Sequence, residues 1–188
     1  MQTGNSAQAY GWVAILLHWG MAVALIAMYF VGDYMVELEY YDRLYHTLPA
    51  LHKATGVILG GLLLVRLVWM YSQPRPQPLT GRAPAFTHLA GTLGHMALYA
   101  LLLIMTVSGY LISTAEGHGI NVFDWFELPA LLPKNEDRGE LAGDIHEVAG
   151  FLLILLVGVH ALAAFIHHFY WKDNTLTRML GISKEHQS

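Results

Sequence analysis

The sequence predicts an all-α protein: an integral membrane four-helix bundle with both termini in the cytoplasm. Three observations predict it. Hydrophobic residues make up 55% of the 188 and charged residues only 13%, about half the charged share of an ordinary soluble domain. Four apolar stretches are each long enough to cross a bilayer, which takes roughly 20 residues. Lysine and arginine are unequally shared between the two sets of connections, with the excess on the side of the termini. The net charge of -4 gives no drive toward nucleic acid. The absence of cysteine excludes disulfides, thiolate metal sites and thioether-linked haem.

The first helix is expected over about 10–32, where residues 11–32 carry no charged side chain. It lacks a basic leader and holds His18 and Trp19 in its middle, unlike a cleaved signal. The second runs over 49–72, with Pro49 in its first turn, where the missing N–H is harmless, and Arg66 as its one charge beyond Lys53. The third covers 88–114. The fourth covers 144–171, with Asp144 and Glu147 resembling a capping box at its start. The proline-rich segment 73–84 connects helices 2 and 3 and cannot be helical throughout. Residues 116–147 form the longest connection, and Val122, Phe123, Trp125, Phe126 and Leu128 suit it to packing over the mouth of the bundle. The chain reads as one transmembrane domain without internal repeats.

Arg75, Arg82, Lys172, Arg178 and Lys184 lie on the side of the termini, with Arg66 near its helix end. Arg43, Lys53, Lys134 and Arg138 lie on the other side. Acidic residues count little in orientation, but they crowd the connections 33–47 and 116–147. The excess of lysine and arginine puts the termini inside.

Eleven histidines are many for so apolar a chain. His146 and His160 share helix 4, fourteen residues and roughly 21 Å apart along the axis. Fourteen steps of about 100° fall roughly 40° short of whole turns, so both rings point to nearly the same face. Neutral imidazole is a standard haem-iron ligand, so one helix could serve two haems stacked across the bilayer. His52, in the first turn of helix 2, matches the outer depth of His146. His18, fifteen residues before Asp33, lies roughly 22 Å deep, close to His160. Depth thus pairs His52 with His146 outside and His18 with His160 inside. Other readings remain open at this point: each histidine alone could be an interhelical hydrogen-bonding group, and an intramembrane metal pathway could use them, although no Asp or Glu lies in the apolar cores.

Gly56, Gly60, Gly61 and Gly150 would admit a flat macrocycle, or merely close helix packing. Arg66 could pair with inner haem propionates or reach lipid phosphate. Lys53 stands next to His52 and could contact the outer group. His95 counts to roughly 30 Å below the outer end of helix 3, about two turns nearer the cytoplasm than the inner iron. There it could bond a propionate or a quinone. His88 is an interfacial residue with a similar face, and His167 and His168 end helix 4. His46, His118 and His186 read as loop or tail positions. Trp12, Trp69 and Trp171 at one side and Tyr40, Tyr41 and Tyr45 at the other suit the aromatic belts. Trp19 could pack on a haem edge or face lipid.

These residues carry a family resemblance. LLHW around His18, ALHKATG around His52, AGTLGHMALYALLLIMTVSGYLIST in helix 3, DIHEVAG around His146 and GVHALAAFIHHFYWKDNTLTRM from His160 onward resemble the bacterial cytochrome b561 family of dihaem inner-membrane proteins. The resemblance covers nearly the whole chain. It implies two non-covalent b-type haems ligated by His18, His52, His146 and His160, and electron transfer between a periplasmic-side donor or acceptor and membrane quinone. One activity described in the family is superoxide oxidation with ubiquinone as acceptor, which a strongly acidic outer face does not favour. A membrane anchor passing electrons from a periplasmic redox enzyme, and a haem or metal transporter, are the alternatives from other classes.

Overall fold

A computed structural model of the chain describes residues 2–77, 83–84 and 86–182. Arg82, Lys184 and His186 lie outside the described residues. Four long helices, α1 (Trp12–Val36), α2 (Thr47–Ser72), α3 (Phe86–Ser113) and α4 (Glu136–Phe169), are each long and apolar enough to span a membrane. A two-stranded hairpin, β1 (Ile120–Val122) and β2 (Phe126–Leu128), links α3 to α4, and a short helix α5 (Thr175–Met179) follows α4. α3 packs along α4, α1 along α2, and α2 along α3.

Large apolar side chains are exposed along all four helices, among them Val23, Leu64, Leu89 and Leu155. A soluble helix hides such a stripe. Here the outward faces suit hydrocarbon, where unsatisfied backbone groups are costly and helices satisfy their own. The inward faces meet in a small apolar cluster of Met21, Leu59 and Leu63, flanked by Ala24, Leu25, Met28, Tyr99 and Leu102. Gly60 is where α2 and α3 approach closely, since a Cβ there would stand 2.7 Å from Thr106 Cγ2.

α4 begins eight residues before the expected 144. Asn135 is its N-cap, and its side chain accepts a hydrogen bond from the Arg138 amide. Glu136 and Asp137 occupy the first turn, where carboxylates favour the helix dipole. The capping box expected at Asp144 and Glu147 is therefore not a helix start: both residues lie inside α4, exposed on its surface. The extra turns are polar because they stand beyond the apolar span. α1 likewise runs on past 32 to Val36.

The hairpin pairs Ile120 with Leu128 and Val122 with Phe126. Val122 and Ile120 are buried, and β1 packs on α2. Phe123 and Asp124 form the tip with φ of 52° and 58°, and Asn121 Oδ1 accepts from the Asp124 amide. Tyr110 ties this connection to α3: its hydroxyl accepts from the Leu131 amide and donates to the Pro129 carbonyl.

The opposite end is closed by the chain ends. Trp19 Nε1 donates to the Met179 carbonyl at 2.7 Å, so this tryptophan fastens α5 to α1. Arg178 Nη1 donates to the Gln77 carbonyl. The Gln77 amide donates in turn to the Ala7 carbonyl.

Candidate functional site

The sequence pairs of histidines meet in space. The His52 and His146 rings have centroids 6.3 Å apart, and the His18 and His160 rings 6.2 Å apart. Met21, Leu59 and Leu63 lie between the two levels along α1 and α2, so an apolar layer separates the pairs.

The His52 and His146 pair has small groups beside it. Gly32 on α1 faces His52: a Cβ there would stand 3.1 Å from its Cε1. Gly109 on α3 faces His146 at the same hypothetical 3.1 Å. These two glycines were not among those singled out in the sequence. They sit one helix away from the histidine that needs the room, which only the packing reveals. Of the glycines expected to admit a flat group, Gly61 meets nothing within 4 Å, and Gly56 and Gly150 make only ordinary contacts.

The ring nitrogens differ in their partners. Ser108 Oγ lies 2.9 Å from His146 Nδ1. Arg66 Nη2 lies 3.1 Å from His18 Nδ1, while Arg66 Nε donates to the Tyr99 hydroxyl at 3.0 Å. His52 Nδ1 is buried without a protein partner. Arg66 thus stands against the inner histidine pair, held over Tyr99, rather than extended to the lipid surface.

His95 does not lie two turns below the inner pair. Its ring is 5.3 Å from that of His160. The reason is the early start of α4. The Asn135 amide donates to the Ala115 carbonyl, and a Cβ on Gly139 would stand 2.6 Å from that of Ala115. Counted from that shared level, His95 and His160 are each about 30 Å along their helices. Counted from Asp144, eight residues inside α4, His160 comes out too shallow.

Lys53 is exposed and does not reach the His52 ring. With Met35, Val36, Tyr45, His46 and Pro49 it lines an open cavity of about 550 Å³ between the end of α1 and the start of α2. His167, at the end of α4, bonds Asp173 rather than either histidine pair.

These residues fit a metal held between two imidazoles. A metal–imidazole bond of about 2 Å, with the ring centre about 1 Å beyond the nitrogen, puts two trans rings roughly 6 Å apart. The glycines beside His52 and His146 leave space at the ring edges. Among the described residues no three His, Asp or Glu side chains converge as a closed cage for a bare ion, whereas a macrocycle needs only the two axial groups.

The prokaryotic cytochrome b561 family model matches residues 9–181. The chain belongs to that family. It is 42% identical to cytochrome b561 homolog 2 of Escherichia coli (strain K12), over 97% of each chain. It is 27% identical to cytochrome b561 homolog 1 of the same strain, over 88% of this chain and 93% of the relative. The probable superoxide oxidase CybB of Yersinia pestis is 25% identical over 91% of this chain and 95% of its own. As a cytochrome b561 the chain is a multi-pass protein of the bacterial inner membrane, a b-type cytochrome that binds haem and transfers electrons.

Proposed function

We propose that this cytochrome b561 binds two b-type haems, one between His52 and His146 and one between His18 and His160, and passes electrons between a periplasmic-side donor or acceptor and membrane quinone. The observation that carries this reading is the equal spacing of the two ring pairs, 6.3 Å and 6.2 Å. When bound, each haem would supply a one-electron redox centre, held by the two histidines of its pair.

The chain's own residues do the rest. The four histidines orient their rings toward one another. Gly32 and Gly109 leave room at the outer level. The Met21, Leu59 and Leu63 cluster keeps water from the space between the levels. Arg66 holds a fixed positive charge beside the inner pair. Quinone reduction takes two electrons and two protons, and His95, beside His160, is the group proposed to hydrogen-bond a quinone at that level. Lys53, on the open outer cavity, is the proposed contact for an outer propionate or an incoming redox partner.

Superoxide is a less suitable donor than a neutral or basic one. The relative named as a probable superoxide oxidase is a distant match, and twelve exposed carboxylates surround the outer end of this chain. An anion approaches such a surface slowly. A periplasmic redox enzyme anchored by this chain would reveal itself by copurification.

Ligation is tested by variants. His160→Ala should lose chiefly the inner haem and His52→Ala chiefly the outer one, each retaining about half the haem by pyridine haemochrome assay, because removing one axial bond leaves the distant pair intact. Two haems with unchanged spectra in either variant would refute the pairing.

A further inference from the structure

Of the four paired histidines, His146 is the one whose Nδ1 meets a hydrogen-bond acceptor among the described residues. The acceptor side chain is Ser108 of α3, with the Met105 backbone beside it. Ser108 is buried, 4% exposed. Its hydroxyl has a single proton, and two carbonyls of its own helix lie within reach of it, Ile104 at 2.7 Å and Met105 at 3.3 Å. With its proton on a helix carbonyl the oxygen presents lone pairs to His146 Nδ1, 2.9 Å away, an arrangement that calls for the hydrogen on Nδ1. In a neutral imidazole the lone pair then sits on Nε2. The adjacent residue, Gly109, leaves space at the Cε1 edge of the same ring. One dipeptide of α3 thus both fixes the ring and makes room for it. At His18 the neighbour of Nδ1 is Arg66, which brings a positive charge and no acceptor.

We infer that Ser108 is a positioning residue for the outer haem: it accepts from His146 Nδ1, fixes the ligating tautomer and lowers the potential of that haem relative to the inner one. The inference rests on the reading of His146 as an axial ligand. A hydrogen bond accepted from the distal nitrogen makes an imidazole a stronger donor, which favours the oxidised metal. Arg66 beside His18 places a positive charge there, which favours the reduced metal. The two surroundings together incline the chain to pass electrons from the outer level to the inner one.

The test uses haem-loaded protein in lipid nanodiscs and a potentiometric titration of each haem, with His52→Ala identifying the outer wave by its loss. Ser108→Ala should keep both haems and shift the outer potential upward while the inner one stays put. Ser108→Thr, which retains a hydroxyl at the same place, should bring the outer potential back. If Ser108→Ala depletes the outer haem and Ser108→Thr restores it, the hydroxyl is still shown to position the ligand. An unmoved outer potential at full haem content would mean that the hydroxyl serves only its own helix, and would overturn the inference. So would loss of the outer haem from both serine variants, which would make Ser108 a packing residue alone. Retention of both haems by His146→Ala is a different failure, that of the ligation reading itself.

Discussion

Arg66 shows how much one side chain's role depends on its neighbours. The sequence offers a lone cation near a helix end, with lipid phosphate or a propionate as partners. Neither is visible in the linear order, because its contacts, His18 and Tyr99, come from two other helices. The depth pairing of the histidines was legible, since 1.5 Å per residue is fixed by the helix itself. Their surroundings were not, because Ser108, Gly32 and Gly109 approach across helix interfaces. Two outcomes follow at this scale. Arg66→Gln should retain both haems and lower the inner potential: a unit charge about 7 Å from a redox centre is worth on the order of 2 kcal/mol at an effective dielectric near 20. An unchanged inner potential in a spectroelectrochemical titration would remove Arg66 from the tuning of that site. His95→Ala should keep both haems and slow reoxidation by a short-chain quinone, because a hydrogen-bonding group at the inner level is lost. Normal quinone kinetics at full haem content would count against His95 as the contact.

At the level of elements, the apolar spans were readable from composition, whereas their ends followed local chemistry. Asp144 and Glu147 have the spacing of a capping box, yet α4 runs straight through them, because Asn135 already caps the helix and nothing between breaks it. A capping pattern is one of several uses of the same residues, and only the chain around it decides. The other end of α4 is closed by a contact that the sequence did not advertise. Asp173 accepts from His167 Nδ1 at 2.5 Å and from the Thr175 amide at 2.9 Å. Burial alone would raise the Asp173 pKa. The bonds from His167 and Thr175, with the charge of His167, outweigh it and hold the carboxyl below its ordinary value. A depressed carboxylate stabilises the fold above its unfolded pKa, and that contribution is lost as pH falls through the folded one. The joint between α4 and α5 should therefore hold at neutral pH and loosen only in acid, below the usual carboxylate range. Asp173→Asn should weaken it at neutral pH by about 1 to 2 kcal/mol, speeding amide exchange over 175–180 roughly tenfold or more. Equal exchange in the variant and the parent would show that the Trp19 bond to Met179 holds α5 without help.

On the scale of the whole molecule the charges are separated to a degree that no single helix reveals. Twelve of the fourteen acidic residues lie at the end where α1 finishes and α2 and α4 begin; with only four lysines and arginines there, that end carries -8. By sequence position the remaining residues are six basic against two acidic, or +4, counting Arg66, which stands inside the bundle beside His18. Arg75, Lys172 and Arg178 are in the described part of the other end, and Arg178 is bonded to the Gln77 carbonyl. Orientation responds to lysine and arginine near the spans and little to carboxylates. The relevant imbalance is thus six against four, and the acidic excess is a consequence for partners rather than a cause of topology. It predicts that both termini face the cytoplasm, with the His52 and His146 level near the periplasm. Alkaline phosphatase folds to its active form only after export. Fused after Lys184 it should be inactive, and inserted at Gly117, in the exposed turn after α3, it should be active. The second fusion guards against an inactive reporter that merely failed to fold. High activity after Lys184 with none at Gly117 would invert the molecule, moving the carboxylate-rich end to the cytoplasm and exchanging the outer and inner sites.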